Sequence, residues 1–159
     1  MLLPPVCYIP FAELDMLFKY LLGFYLLHYY SAVVHEVFHL AAATLLKIKI
    51  TGVVIGEKVL RISFGRLHVS PLLLRNSYVE VDARSLEAQS LWKVAFFSLS
   101  GSLGNLVLIM LSYYLVANTM FRLWMFITNG LCVVLSLLPI VPSNDALMIY
   151  RIWRITKLN

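Results

Sequence analysis

Residues 19–47 read KYLLGFYLLHYYSAVVHEVFHLAAATLLK. This is one long apolar run between two lysines, interrupted by His28 and by His35-Glu36-Val37-Phe38-His39. At 1.5 Å per residue, a helix over this run can cross a hydrocarbon core of about 30 Å, even when tilted. A charge at the bilayer centre costs roughly 2.5–3.5 kcal/mol on insertion scales. Two histidines and a glutamate on successive turns are a poor choice for a span that only anchors. Residues four apart share a helix face, so both imidazoles reach one metal ion. Neutral imidazole is a good zinc ligand, and a catalytic zinc takes three protein ligands plus a water. Glu36, next to the first histidine, is placed to take a proton from that water. The alternative is that these polar groups pair with neighbouring helices.

The rest of the chain agrees with a membrane setting. Of its 159 residues, 61% are hydrophobic and 13% charged, about half the charged share of an ordinary soluble domain. Further apolar runs lie at about 94–117 and 123–139, and the short link 118–122 makes them an antiparallel hairpin. A last apolar stretch, 143–156, follows a break at Pro139 and Pro142, since proline removes a backbone donor and clashes with the preceding turn. Between the first two runs, Val53-Val54-Ile55, Val59 to Ile62, Leu67-His68-Val69 and Tyr78 to Val81 are β-branched and bounded by glycines or Pro71. They read as short strands, with Ile55-Gly56-Glu57-Lys58 as a hairpin tip. The fold class expected is an all-α membrane protein with a three-helix transmembrane core. A broken fourth helical segment and a small β-hairpin or sheet region at 50–81 complete it. All of this forms one domain, 1–159, with the first span at about 20–46.

The formal net charge is +5, but the basic residues flank apolar runs rather than forming a nucleic-acid surface. Lys47, Lys49, Lys58, Arg61, Arg66, Arg75, Arg84 and Lys93 lie between spans one and two, and Arg151, Arg154 and Lys157 lie in the tail. With three spans both groups fall on one side. The positive-inside rule makes that side cytosolic and puts the N-terminus outside. The N-terminus lacks the basic region of a cleaved signal peptide. Cys7 and Cys132 suggest neither a disulfide framework nor a cysteine metal cluster.

A third metal ligand must come from a short inventory of acids. Glu13 and Asp15 precede span one; Glu57, Glu80, Asp82 and Glu87 lie in the connecting region. Asp145 is the one other acid embedded in an apolar stretch. His39 is about 12 Å from the cytosolic end at Lys47, and Asp145 follows the end of the third span on the same side. Asp145 is thus a ligand candidate, and Ser143-Asn144-Asp145 also suits a helix N-cap. His28 reads as a polar helix contact and His68 as a strand residue near Arg66.

Three motifs in order resemble the site-2 protease family of intramembrane zinc metalloproteases. These are His35-Glu36-Val37-Phe38-His39-Leu40 with Ala41 to Ala43, Ser100-Gly101-Ser102-Leu103-Gly104-Asn105, and Leu137-Leu138-Pro139 through Asn144-Asp145-Ala146. Gly65 to Val81 resembles the family's membrane-associated β-loop, and the small size resembles its compact bacterial and sporulation-type members. The resemblance implies zinc held by His35, His39 and Asp145, polarising a peptide carbonyl and acidifying a water. Glu36 would be the general base. Asn105 matches the family's intramembrane asparagine and either lines the cleft or bonds between helices; Gly101 and Gly104 suit close helix packing.

The expected partners are a membrane-tethered protein or peptide substrate, the lipid bilayer and a regulatory membrane partner, with no nucleic acid. The expected location is multi-pass in a bacterial plasma membrane, with the active site toward the cytosol. The chain departs from the family pattern at Phe38, Ser102, Ser136, Ala146 and Arg75-Asn76-Ser77. Asn144-Asp145 leaves the register of the third ligand open by one position. A catalytically inactive scaffold or regulatory binding protein is the alternative. A haem or metal carrier built on the histidines explains neither Glu36 nor Asp145.

Overall fold

The computed structural model describes residues 11–57, 59–72, 77–138, 145, 148–150 and 153–154. A long helix α1 (Phe11–Leu45) leads into strands β1 (Ile50–Ile55), β2 (Ile62–Phe64), β3 (Leu67–Val69) and β4 (Ser77–Val81). A short helix α2 (Ala83–Glu87) and the helical hairpin α3 (Leu91–Leu115) and α4 (Thr119–Leu137) follow. Asp145, 148–150 and 153–154 are also helical. The proline break at Pro139 and Pro142, the departures at Asn144, Ala146, Arg75 and Asn76, and Cys7 lie outside the described residues.

α1 ends because Lys47 adopts a positive φ of 58°. Ile48 N–H then bonds Ala43 O at 2.8 Å, and Lys47 N–H bonds Thr44 O at 3.2 Å. This is the paired-bond arrangement that closes many helices, with its usual apolar contact. Here Ile48 and Ala43 are both buried, in a cluster with Ala42, Leu86, Val94 and Phe97. One cluster therefore ties the end of α1 to α2 and to the start of α3. A second, Leu27, Leu108 and Met125, joins α1, α3 and α4 further along.

The sheet order is β2-β3-β1-β4, with β1 parallel to β3 and antiparallel to β4. This corrects the hairpin tip expected at Ile55-Gly56-Glu57-Lys58. Gly56, at φ 86°, sends the chain away from β1, and a Cβ there would overlap the Ser70 and Leu72 carbonyls. The local hairpin is instead β2–β3, turned at Gly65 (φ 62°). Leu60, at φ 56°, breaks the strand expected over 59–62, so β2 starts at Ile62.

The sheet lies lengthwise along α1. The hydroxyl of Tyr29 donates to Ser70 O at 2.9 Å, and that of Tyr25 donates to Pro71 O. Tyr29 lies about 24 Å up the helix from Leu45 by helical rise. The loop after β3 is thus pinned deep along α1 rather than resting at its end.

α3 and α4 are each long and apolar enough to cross a membrane, by length and composition. Their polarity is turned inside out. Ser98, Ser100, Ser102, Asn105, Ser112, Thr128 and Asn129 are buried, while Leu103, Leu106, Met110, Leu123, Phe126 and Leu131 are exposed. Apolar surface on that scale is unfavourable against water, whereas polar groups turned inward, among them the bonded hydroxyls of Ser100, Ser102, Ser112 and Thr128, suit hydrocarbon surroundings. α1 is longer than either helix, but Glu13, Asp15, Lys19, His28, His35, Glu36 and His39 make it more polar.

Close helix approach needs small residues, and Gly104 shows why Phe38 is tolerated between the histidines. A Cβ at Gly104 would lie 2.7 Å from Phe38 Cδ2, so the phenyl ring occupies the space the glycine leaves. Gly104→Ala should overpack this contact and destabilise the protein by about 1–3 kcal/mol. Unfolding of the detergent-solubilised protein measures this, and the cost should shrink when Phe38 is also alanine.

Candidate metal centre

His35 and His39 lie one turn apart on the face of α1 that meets α3, with Nε2 atoms 3.1 Å from each other. His39 is 4% exposed and Glu36 2%. Asp145 reaches the same point from the far end of the chain. Its Oδ2 is 3.4 Å from His35 Nε2 and its Oδ1 3.4 Å from His39 Nε2. Ligand atoms of the three residues all lie within 4.8 Å of one another.

The histidines are held from behind. His39 Nδ1 lies 2.8 Å from the carbonyl oxygen of Phe97, which can only accept. Nδ1 therefore carries the proton, and the lone pair of a neutral His39 sits on Nε2, facing Asp145. Ser100 donates to the same carbonyl at 2.6 Å and lies 3.1 Å from Nδ1, steadying the ring. A second-neighbour bond of this kind is the usual means of fixing which imidazole nitrogen faces a metal.

On His35 the corresponding partner is Asn105, fully buried, with its amide nitrogen 3.2 Å from Nδ1. Among the described residues, Asn105 Oδ1 is buried and finds no hydrogen-bond partner. A half-turn of the amide exchanges its two ends, so Asn105 can serve Nδ1 as donor or acceptor. Asn105 thus bonds between α3 and α1, behind the ligand face.

Gly101 makes the approach possible. A Cβ at this position would overlap both Nε2 atoms, so any other residue would occupy the space between the imidazoles and α3. Among the described residues, Glu36 Oε2 makes no hydrogen bond, and Asp145 Oδ2 has only the 3.4 Å contact with His35 Nε2. Buried oxygens in that condition suit a bound cation or a further donor. Two imidazoles and a carboxylate, converging with one carboxylate oxygen unsatisfied, fit a zinc ion in ligand type and number.

Of the residues singled out in the sequence, the fold gathers His35, Glu36, His39, Asn105 and Asp145. His68 stands apart, with Nδ1 2.8 Å from Ser63 Oγ at the β2–β3 hairpin, and His28 is not in the metal-ligating group. The Phe97 carbonyl and Ser100 were not legible as site residues. A backbone carbonyl has no side-chain signature, and the run of small residues at 98, 100, 101, 102 and 104 was the available hint.

Residues 23–135 match the family model of peptidase family M50. The chain belongs to this family, the site-2 protease family of integral membrane metalloproteases, which are in general zinc-dependent and act on membrane-tethered substrates. The match runs from α1 into the last turns of α4, and Asp145 lies beyond it. Comparison with curated proteins and with solved structures gives no match.

Gly101→Ala should lower zinc affinity at least tenfold with little change in helix content, because its methyl group enters the space between the two Nε2 atoms. Competition of the purified protein against a zinc chelator, with circular dichroism alongside, measures both.

Proposed function

We propose that the chain is a zinc-dependent intramembrane endopeptidase that cleaves membrane-tethered protein substrates. His35, His39 and Asp145 serve as zinc ligands and Glu36 as the general base. The observation that carries this reading is the meeting of ligand atoms from α1 and from Asp145 within 4.8 Å, in a chain of peptidase family M50. Zinc held there would polarise a substrate carbonyl and acidify a water.

The protein's own groups divide the remaining work. Glu36 follows His35 on α1, and one of its oxygens makes no hydrogen bond among the described residues. It accepts the proton of the attacking water at Oε2 and returns it to the departing amine. The Phe97 carbonyl keeps the His39 proton on Nδ1, and Asn105 turns its oxygen toward Nδ1 of His35, so both Nε2 lone pairs stay aimed inward. β4 ends the sheet and packs on α1. A helical substrate hides its carbonyls, whereas an extended one can pair along the outer edge of β4, the end strand among the described residues.

In this reading α1 is the third span. At 35 residues it measures about 52 Å, well above the roughly 30 Å of hydrocarbon. His35, His39 and Glu36 face protein rather than lipid. By the positive-inside rule the basic residues between α1 and α3 and in the tail favour that side as cytosolic, with the site toward it, and the resemblance to compact bacterial members makes a bacterial plasma membrane the proposed setting. The whole chain, 1–159, acts as one domain. The four chemistry-bearing residues are all retained, so the inactive scaffold is not favoured.

Co-expression with a panel of tagged single-span reporters, each carrying a helix-breaking Gly-Pro pair in its span, tests the assignment of Glu36. Wild type should cleave a member of the panel. Glu36→Gln should slow that cleavage by about 10²–10⁴-fold with zinc still bound. Cleavage at the wild-type rate in Glu36→Gln would remove Glu36 as the base.

A further inference from the structure

Two of the departures from the family pattern meet in space. Ser102 on α3 and Ser136 on the last turn of α4 have hydroxyl oxygens 2.6 Å apart. Ser136 donates to Val133 O in its own helix at 3.0 Å, so the shared proton is that of Ser102. Ser102 is 4% exposed, and the bond joins two helices that are each apolar enough to span a membrane. A hydroxyl in that setting has no water to turn to, which favours keeping the bond closed.

Its position gives it a use. Ser102 follows Gly101, whose missing side chain makes room for both Nε2 atoms. Ser136 sits one residue before the end of α4, and Asp145 is the next described residue after Leu138. The turn of α3 that backs the histidines is therefore bonded to the end of the helix from which the chain departs toward Asp145. His35 and His39 need no such help, because α1 fixes their spacing and Asn105 and Phe97 fix their rings. Asp145 comes from another part of the chain and must be brought to them.

We infer that Ser102 and Ser136 form a positioning pair that holds the end of α4 at the depth of the histidines and so sets Asp145 against the zinc. This rests on the metalloprotease reading above, and it adds residues that act through Asp145 without touching metal or substrate. Removing either hydroxyl should leave the two histidines as ligands and loosen the third. Loss of an outer partner bonded directly to a ligand typically weakens metal binding about 10–100-fold, and this pair, one step further from the metal, should act at the lower end of that range.

The test is zinc affinity of the full-length detergent-purified protein, by competition with a chelator. Ser102→Ala and Ser136→Ala should each weaken zinc binding by about tenfold. The double variant should be no weaker than either single one, since one bond is lost in all three. Ser136→Thr keeps the hydroxyl and should bind within about twofold of wild type. Ser112→Ala should bind as wild type, because that buried serine donates within its own helix, to Ile109 O.

The deciding comparison uses Asp145→Ala as the background. There Ser102→Ala should cost nothing further, because the ligand it positions is gone. An equal tenfold loss in that background would show a general packing role and overturn the inference, as would wild-type affinity in both single variants. If wild type itself binds no zinc, the metalloprotease reading falls and takes this inference with it. If wild type binds and the serine variants bind equally well, the inference alone falls.

Discussion

The close approach of α1 to α3 at Gly101 is the constraint on which the rest depends. The imidazoles of His35 and His39 lie against bare α-carbon at this point, because a single methyl group would collide with both Nε2 atoms. Gly104 admits Phe38 one turn further on. Ser98, Ser100 and Ser102 keep the same stretch of α3 narrow and buried. Helices that meet in lipid gain little from hydrophobic burial and rely on close contact and interhelical bonds. The small residues that permit contact also clear space for the two imidazoles, so packing and site share one requirement.

From that contact the other features follow in order. With the rings against α3, their outer nitrogens meet the Phe97 carbonyl and Asn105, which leaves both Nε2 atoms facing inward. The sheet packs along α1, pinned by Tyr25 and Tyr29. Its end strand β4 runs beside the helix that carries Glu36. Apolar side chains of α3 and α4 are left on the outside. The molecule thus keeps its polar groups for its own interior, the arrangement a bilayer demands of both backbone and side chains.

Much of this could be read from local sequence, and the rest could not for physical reasons. The pair His35 and His39 is legible because helical spacing alone brings them together. The β-branched runs between α1 and α3 announced a sheet, and α3 and α4 announced themselves as long apolar helices. Sheet order was hidden, since the parallel pairing of β1 with β3 depends on contacts that no turn residue encodes; a glycine at 56 looked like a hairpin and proved to be an exit. α1 is harder to recognise as a span than α3 or α4 because the residues that make the site also lower its hydropathy. Asn105 matches the family's asparagine in sequence, but its contact with His35 across α1 and α3 depends on the helix packing and could not be read there. Phe38, Ser102 and Ser136 stand in the sequence only as departures from the family pattern. In space, Phe38 has Gly104 and the two serines have each other.

The central claim is that two residues of α1 and one from the far end of the chain hold a single zinc. Its most direct test is the zinc content of the purified protein, wild type beside the His35→Ala, His39→Ala double variant and Asp145→Ala. The account predicts about one zinc per chain in the wild type, none in the double variant and a reduced content in Asp145→Ala. A well-folded wild type that takes up no stoichiometric zinc when zinc is supplied would contradict it.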